Sequence, residues 1–132
     1  MLTPDADPDK VARLAAQQAR ILGAPEEEIK FAASTVESVL THPLIDRARQ
    51  ASKQGQCRRE TPVTLCVDGR SIIVEGMVDL AFQEDGVWTV VDFKTDHELA
   101  GSLPAYKRQV ALYAEAISCA TGVSVQPVLM RL

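Results

Sequence analysis

What the chain lacks narrows the field first. None of its apolar runs approaches the roughly 20 residues that a membrane-spanning helix needs. The amino-terminal stretch MLTPDADPDK carries acids where a secretory signal would carry basic residues followed by an apolar segment. The expectation is a cytoplasmic protein with no membrane partner. Cysteine is sparse: Cys57, Cys66 and Cys119 are widely spaced and form no C-x-x-C pair. That usage signals neither a disulfide framework nor a zinc or iron–sulfur site, so buried free thiols and no Fe–S cluster are expected. An excess of basic charge is missing too. The 14 Lys and Arg stand against 18 Asp and Glu, a net charge of −4, which argues against a polyanion binder over the whole surface. Locally the balance reverses, since the segment DRARQASKQGQCRRE, residues 46–60, holds five Lys or Arg and two acids. Two readings of it stay open: a basic patch for a polyanion, or a solvated helix end leading into a strand. No internal repeat or low-complexity tract occurs.

What is present fits one domain's worth of chain, 132 residues with ordinary apolar and charged fractions. Residues 1–8, rich in proline and aspartate, read as a disordered lead. From Asp9 to Leu22 the apolar positions fit a helix closed by Gly23. Pro25 opens a second helix whose Glu26, Glu27 and Glu28 suit the positive end of its dipole, and Pro43 starts a short third that ends near Ala51. The period then changes. Residues 57–67, 70–82 and 87–94 are rich in valine, isoleucine and threonine and are separated by the turn signals DG and EDG, which predicts a three-stranded antiparallel meander. Helical spacing returns from Leu103 to Ala120, Gly122 ends it, and VSVQPVLMRL reads as a last strand. The order gives an α/β fold with a mixed sheet, flanking helices and a final crossover strand.

The chemistry concentrates in VVDFKTD, residues 90–96. Strand side chains alternate, so Asp92 and Lys94 share a face. A hairpin centred on residue 85 sets Asp79 nearly opposite Asp92. Like charges opposed across strands are destabilising, and a divalent cation is one compensation, because carboxylate oxygens bind Mg²⁺ or Mn²⁺. The bland alternative is a lysine neutralising two surface acids. The setting favours the cation: Asp92 follows Val90 and Val91 in an apolar strand where an unpaired carboxylate is costly, and Gly76 leaves room for another backbone or a ligand to approach.

These residues carry a resemblance. Gly76-Met-Val-Asp79, then Asp92-Phe-Lys94-Thr95, then Gln109 and Tyr113 as Q-x-x-x-Y on the next helix, closely resemble the RecB-like nuclease branch of the PD-(D/E)XK superfamily. In particular they look like the carboxy-terminal nuclease domain of AddA-type and related UvrD/Rep helicase–nucleases. The likeness covers about residues 42–132 and includes Arg59-Glu60-Thr-Pro62, similar to an R-E-x-P that opens the sheet. It implies a restriction-endonuclease-like core over residues 56–132 behind a helical segment, residues 9–55. It implies Asp79, Asp92 and the backbone carbonyl of Phe93 as metal ligands, with Mg²⁺ or Mn²⁺ as the cofactor. Lys94 would be the catalytic lysine, beside the two aspartates. Gln109 and Tyr113 would form a helix face at the DNA, with Arg58 and Arg59 as further DNA contacts.

The resemblance also implies a histidine ligand on an earlier helix, which nothing before His42 supplies. His42 itself suits a helix cap or the surface, and His97 a solvated loop. The expectation is therefore a carboxy-terminal fragment of a larger helicase, weak or inactive by itself. Its function would be metal-dependent hydrolysis of DNA phosphodiesters in an ATP-dependent helicase–nuclease of recombinational repair. The expected partners are DNA, the helicase motor domains and a second subunit. The alternative is a catalytically inactive nuclease-like module for DNA docking or protein interaction.

Overall fold

A computed structural model describes residues 7–67 and 72–132. The chain divides into two compact units, Met1–Ser52 and Lys53–Leu132.

The first unit is helical. Helix α1 spans Pro8–Ile21, capped by the Asp7 carboxylate, which accepts the amide of Asp9 at 3.1 Å. Of the expected disordered lead, residues 1–6 lie outside the described residues, but Asp7 and Pro8 belong to the helix start: a capping acid and a proline in the first turn are strong initiators. Helix α2, Glu26–Leu40, has three glutamates in its first turn and buries Ile29, Val39 and Leu40. α1 and α2 pack on each other. Helix α3, Pro43–Lys53, starts from His42, whose Nδ1 accepts the Leu44 amide at 3.1 Å, and it buries Leu44, Ile45, Ala48 and Ala51.

Among the described residues the second unit is a four-stranded sheet with one helix, and its cysteines are not buried as expected: Cys57 is half-buried, Cys66 and Cys119 exposed. Strands β1 (Cys57–Val67), β2 (Ile72–Glu84), β3 (Val87–Lys94) and β4 (Val125–Arg131) lie in the order β1-β2-β3-β4. The first two pairings are antiparallel, and β3–β4 is parallel, reached through helix α4, Asp96–Thr121. The DG turn between β1 and β2 lies outside the described residues. The second turn is tight: Asp85 (φ 48°) and Gly86 (φ 78°) are both left-handed, which closes a two-residue hairpin and lets β2 run on to Glu84. Pro127 sits in β4, an edge strand, where its missing N–H breaks no interior ladder.

The sheet's α4 face holds a cluster of Val78, Ala81, Val90, Val110 and Tyr113, with Val63, Trp88, Ile117, Val125 and Leu129 around it. Val78 and Ala81 are three apart, so in a regular strand they would point to opposite faces. Their common cluster means that β2 reverses its facing between them. The partner strand shows the same disturbance, since Glu60, between the paired residues Arg59 and Thr61, takes φ 45°. Simple alternation therefore fails next to Asp79.

Helix α4 also begins earlier than its apolar spacing indicates. Thr95 caps it: its hydroxyl accepts the Glu98 amide at 3.3 Å, while the Glu98 carboxylate accepts the Thr95 amide at 2.7 Å. This reciprocal box starts the helix immediately after Lys94 and brings His97 into its first turn. Ser102 (φ −168°, ψ 59°) then interrupts the helix just before Pro104, whose ring and missing N–H cannot continue an unbroken ladder.

Candidate active site

The acid pair assembles where β3 leaves the sheet. The β2–β3 ladder runs from Glu84↔Val87 to Leu80↔Val91. One step further lie Asp79 and Asp92, and there the pairing is taken over by a side chain: Asp79 Oδ2 accepts the Phe93 amide at 2.9 Å. Asp92 is 4% exposed, behind two fully buried valines, Val90 and Val91. Its Oδ2 lies 3.3 Å from Lys94 Nζ, close enough for ionic attraction. The same oxygen is buried and has no donor in hydrogen-bonding geometry. Burial raises the Asp92 pKa to about 6, and the Asp79 carboxyl within hydrogen-bonding reach pushes in the same direction, against the pull of Lys94. For Lys94, burial opposes the charged form, but the neighbouring Asp92, Glu98 and Asp79 together outweigh it and the pKa lies above the ordinary value.

Lys94 has a second neighbour that the sequence reading does not single out. Its Nζ sits 4.7 Å from the centre of the Tyr106 ring on α4. The available signal was spacing: Tyr106 is four residues before Val110 and seven before Tyr113, hence on the helix face that meets the sheet. Glu98 adds a longer-range attraction for Lys94, while the Thr95 amide holds the Glu98 carboxylate below its usual range.

The remaining expected residues fall into separate groups. Gln109 Nε2 donates to the Tyr113 hydroxyl at 2.9 Å, so the Q-x-x-x-Y pair is joined. Tyr113 is 7% exposed and packs in the cluster of the α4 face. The approach that Gly76 permits is by this ring, since a Cβ at position 76 would collide with it. Arg58 and Arg59 are exposed on β1, and Arg58 Nη1 lies 3.4 Å from the Gly55 and Cys57 carbonyls. His42 is occupied as the cap of α3. His97 is exposed, on the first turn of α4 instead of in a loop.

The donor set fits a small divalent cation. Two carboxylates, one presenting a buried oxygen without a hydrogen-bond donor, form the hard-oxygen environment that Mg²⁺ or Mn²⁺ selects. Among the described residues no third His, Cys, Asp or Glu completes a cluster. The other positions would fall to a backbone carbonyl, water or phosphate oxygen.

Comparison with known proteins is consistent with this geometry. A family model described as the PD-(D/E)XK nuclease superfamily matches residues 2–130. Among curated relatives, an ATP-dependent helicase/nuclease subunit from Heliobacterium modesticaldum is 32% identical over 107 residues, covering 66% of this chain and 7% of the relative. Its namesake from Clostridioides difficile is 38% identical over 63 residues, 45% of this chain and 5% of the relative. That from Anoxybacillus flavithermus is 29% identical over 90 residues, 62% of this chain and 7% of the relative. The chain thus spans less than a tenth of the length of these relatives.

Proposed function

The chain belongs to the PD-(D/E)XK nuclease superfamily, and from that premise we propose that Asp79, Asp92 and Lys94 form the active site of a metal-dependent deoxyribonuclease. Its four-stranded mixed sheet and crossover helix agree with the restriction-endonuclease-like fold of that superfamily. The observation that carries the reading is the buried Asp92 carboxylate beside a second carboxylate, its Oδ2 lying 3.3 Å from the Lys94 ammonium but outside hydrogen-bonding geometry. One lysine beside two carboxylates leaves an acid in excess and that oxygen without a hydrogen bond. A cation site requires it to be available.

In this reading Asp79 and Asp92, with the Phe93 carbonyl, would hold Mg²⁺ or Mn²⁺, which would supply polarisation of the scissile phosphate and activation of water. Asp79 does two jobs, since one of its oxygens fixes the Phe93 amide and thereby the backbone of the ligand strand. Lys94 orients the attacking water and donates to the phosphate oxygens as negative charge grows on them. Asp92 keeps the ammonium paired until substrate arrives. Gln109 fixes the Tyr113 phenol at the border of the DNA path, and the exposed Arg58 and Arg59 contact the phosphate backbone.

The relatives are named as subunits of an ATP-dependent helicase/nuclease, and we extend the reading from that name to the cell. The domain serves an ATP-dependent helicase–nuclease of recombinational repair in the cytoplasm, and its partners are the motor domains and a second subunit. Residues 56–132 are its nuclease core and residues 9–55 a helical segment before it. Calorimetric titration with Mn²⁺, followed by incubation with linear DNA and either Mg²⁺ or Mn²⁺, tests the proposal. Metal uptake and weak cleavage, both lost in Asp92→Ala, are expected. Metal uptake without cleavage would indicate a docking module, and the absence of both a protein-interaction domain.

A further inference from the structure

We propose that Tyr106 is a positioning residue for Lys94, holding the ammonium on its ring face above the acid pair. The part of this inference that concerns catalysis rests on the deoxyribonuclease reading; the part that concerns the placement of Lys94 does not.

A lysine on the last residue of a strand has a long flexible stem and only local reasons to settle in one place. Asp92 supplies one such reason, at 3.3 Å. Acting alone it would draw the ammonium into a contact pair with the acid that is needed elsewhere. The Tyr106 ring, 4.7 Å from Nζ, supplies an attraction from a different element. An aromatic face attracts a cation without neutralising it, and without offering an oxygen that competes for a metal. Lys94 thus remains a charged donor tethered between β3 and α4.

The helix geometry makes this arrangement specific. The break at Ser102 restarts α4 ahead of Pro104. In the restarted segment Val110 and Tyr113 are buried against the sheet, so Tyr106, one turn before Val110, lies over the end of β3. Tyr113 itself is spent on Gly76 and Gln109. The two tyrosines of the helix are thereby assigned different tasks.

The experiment uses the 132-residue chain in three forms: native, Tyr106→Phe and Tyr106→Leu, with Tyr106→Met as a second ring-free variant should the leucine form fail to fold. In proton–carbon NMR spectra, assigned by loss of signal in Lys94→Arg, the Lys94 Hε protons should show an upfield ring-current shift. The shift should persist in Tyr106→Phe and vanish in the ring-free variants. In cleavage of linear DNA with Mn²⁺, the ring-free variants should lose about tenfold in kcat with KM near native. Tyr106→Phe should recover most of that loss. Unchanged Hε shifts in a ring-free variant would overturn the placement. A ring-free variant with native kcat, or a phenylalanine variant as slow as the leucine one, would overturn the positioning role. If the native chain binds no metal and cuts nothing, the deoxyribonuclease reading fails, and the NMR spectra alone decide the placement.

Discussion

The ring of Tyr113 occupies the space that a side chain at position 76 would fill. Glycine there is a packing requirement of the α4 face, not a turn. Gly76→Ala should force the ring aside, strain the Gln109–Tyr113 hydrogen bond and cost about 1–3 kcal/mol. Thermal denaturation measures the loss. In a Tyr113→Ala background the same change should cost little, and full additivity of the two substitutions would contradict the contact.

Asp92 makes stability depend on pH in a defined direction. Its carboxyl titrates near 6 in the fold against an ordinary 3.8, so the fold favours the protonated form. The associated stability is complete below about pH 4 and is lost as the pH rises through 6, roughly 3 kcal/mol in all. Asp92→Asn removes that dependence. In EDTA, the variant's advantage in melting temperature over the native chain should grow between pH 4 and pH 7. A gap independent of pH would rule out the raised titration.

The two aspartates should separate by stability while agreeing in metal affinity. Asp79 accepts the Phe93 amide, so Asp79→Ala leaves a part-buried donor unmet and should cost about 1–3 kcal/mol. Asp92→Ala relieves the repulsion between the acids but also takes the ionic partner from Lys94, so without metal it should cost less than Asp79→Ala. Both should abolish Mn²⁺ uptake in calorimetry. Native affinity in either would remove that residue from the ligand set.

Lys94→Ala should leave metal uptake near native and slow cleavage by about 10²-fold or more, the usual worth of a donor placed where charge develops. Parallel loss of metal and rate would make the lysine a structural member of the ion pair.

Much of this site was legible in the sequence because it depends on strand register. A two-residue turn at Asp85 and Gly86 leaves little freedom in pairing, and Asp79 necessarily arrives beside Asp92. Gly76 and the Gln109–Tyr113 spacing were also visible, but not that they meet, since that contact joins a strand to a helix distant in sequence. Two features defeated pattern reading for local reasons. Alternation assumes an unbroken pleat, and the left-handed Glu60 and the reversal near Asp79 break it. The start of α4 was written in Thr95-x-x-Glu98, but the helical apolar spacing returns only at Leu103, beyond the poor helix former Gly101. Tyr106 escaped notice because a single aromatic on an apolar face gives no sign of the cation it meets.

The interruption at Ser102 has a further consequence for motion. It leaves residues 96–101 as a short helical piece held by the Thr95–Glu98 box, a half-buried Leu99 and an exposed ion pair from Asp96 to Arg131, while the longer piece beyond is anchored in the core. So short a helix has little stability of its own. It can open at low free energy while the sheet stays closed, and its amides should exchange with solvent far faster than those around Val110. Because that piece begins immediately after Lys94, the loosest stretch of α4 adjoins the most buried strand of the sheet, and the proposed catalytic lysine lies at the boundary between a fast and a slow part of the molecule.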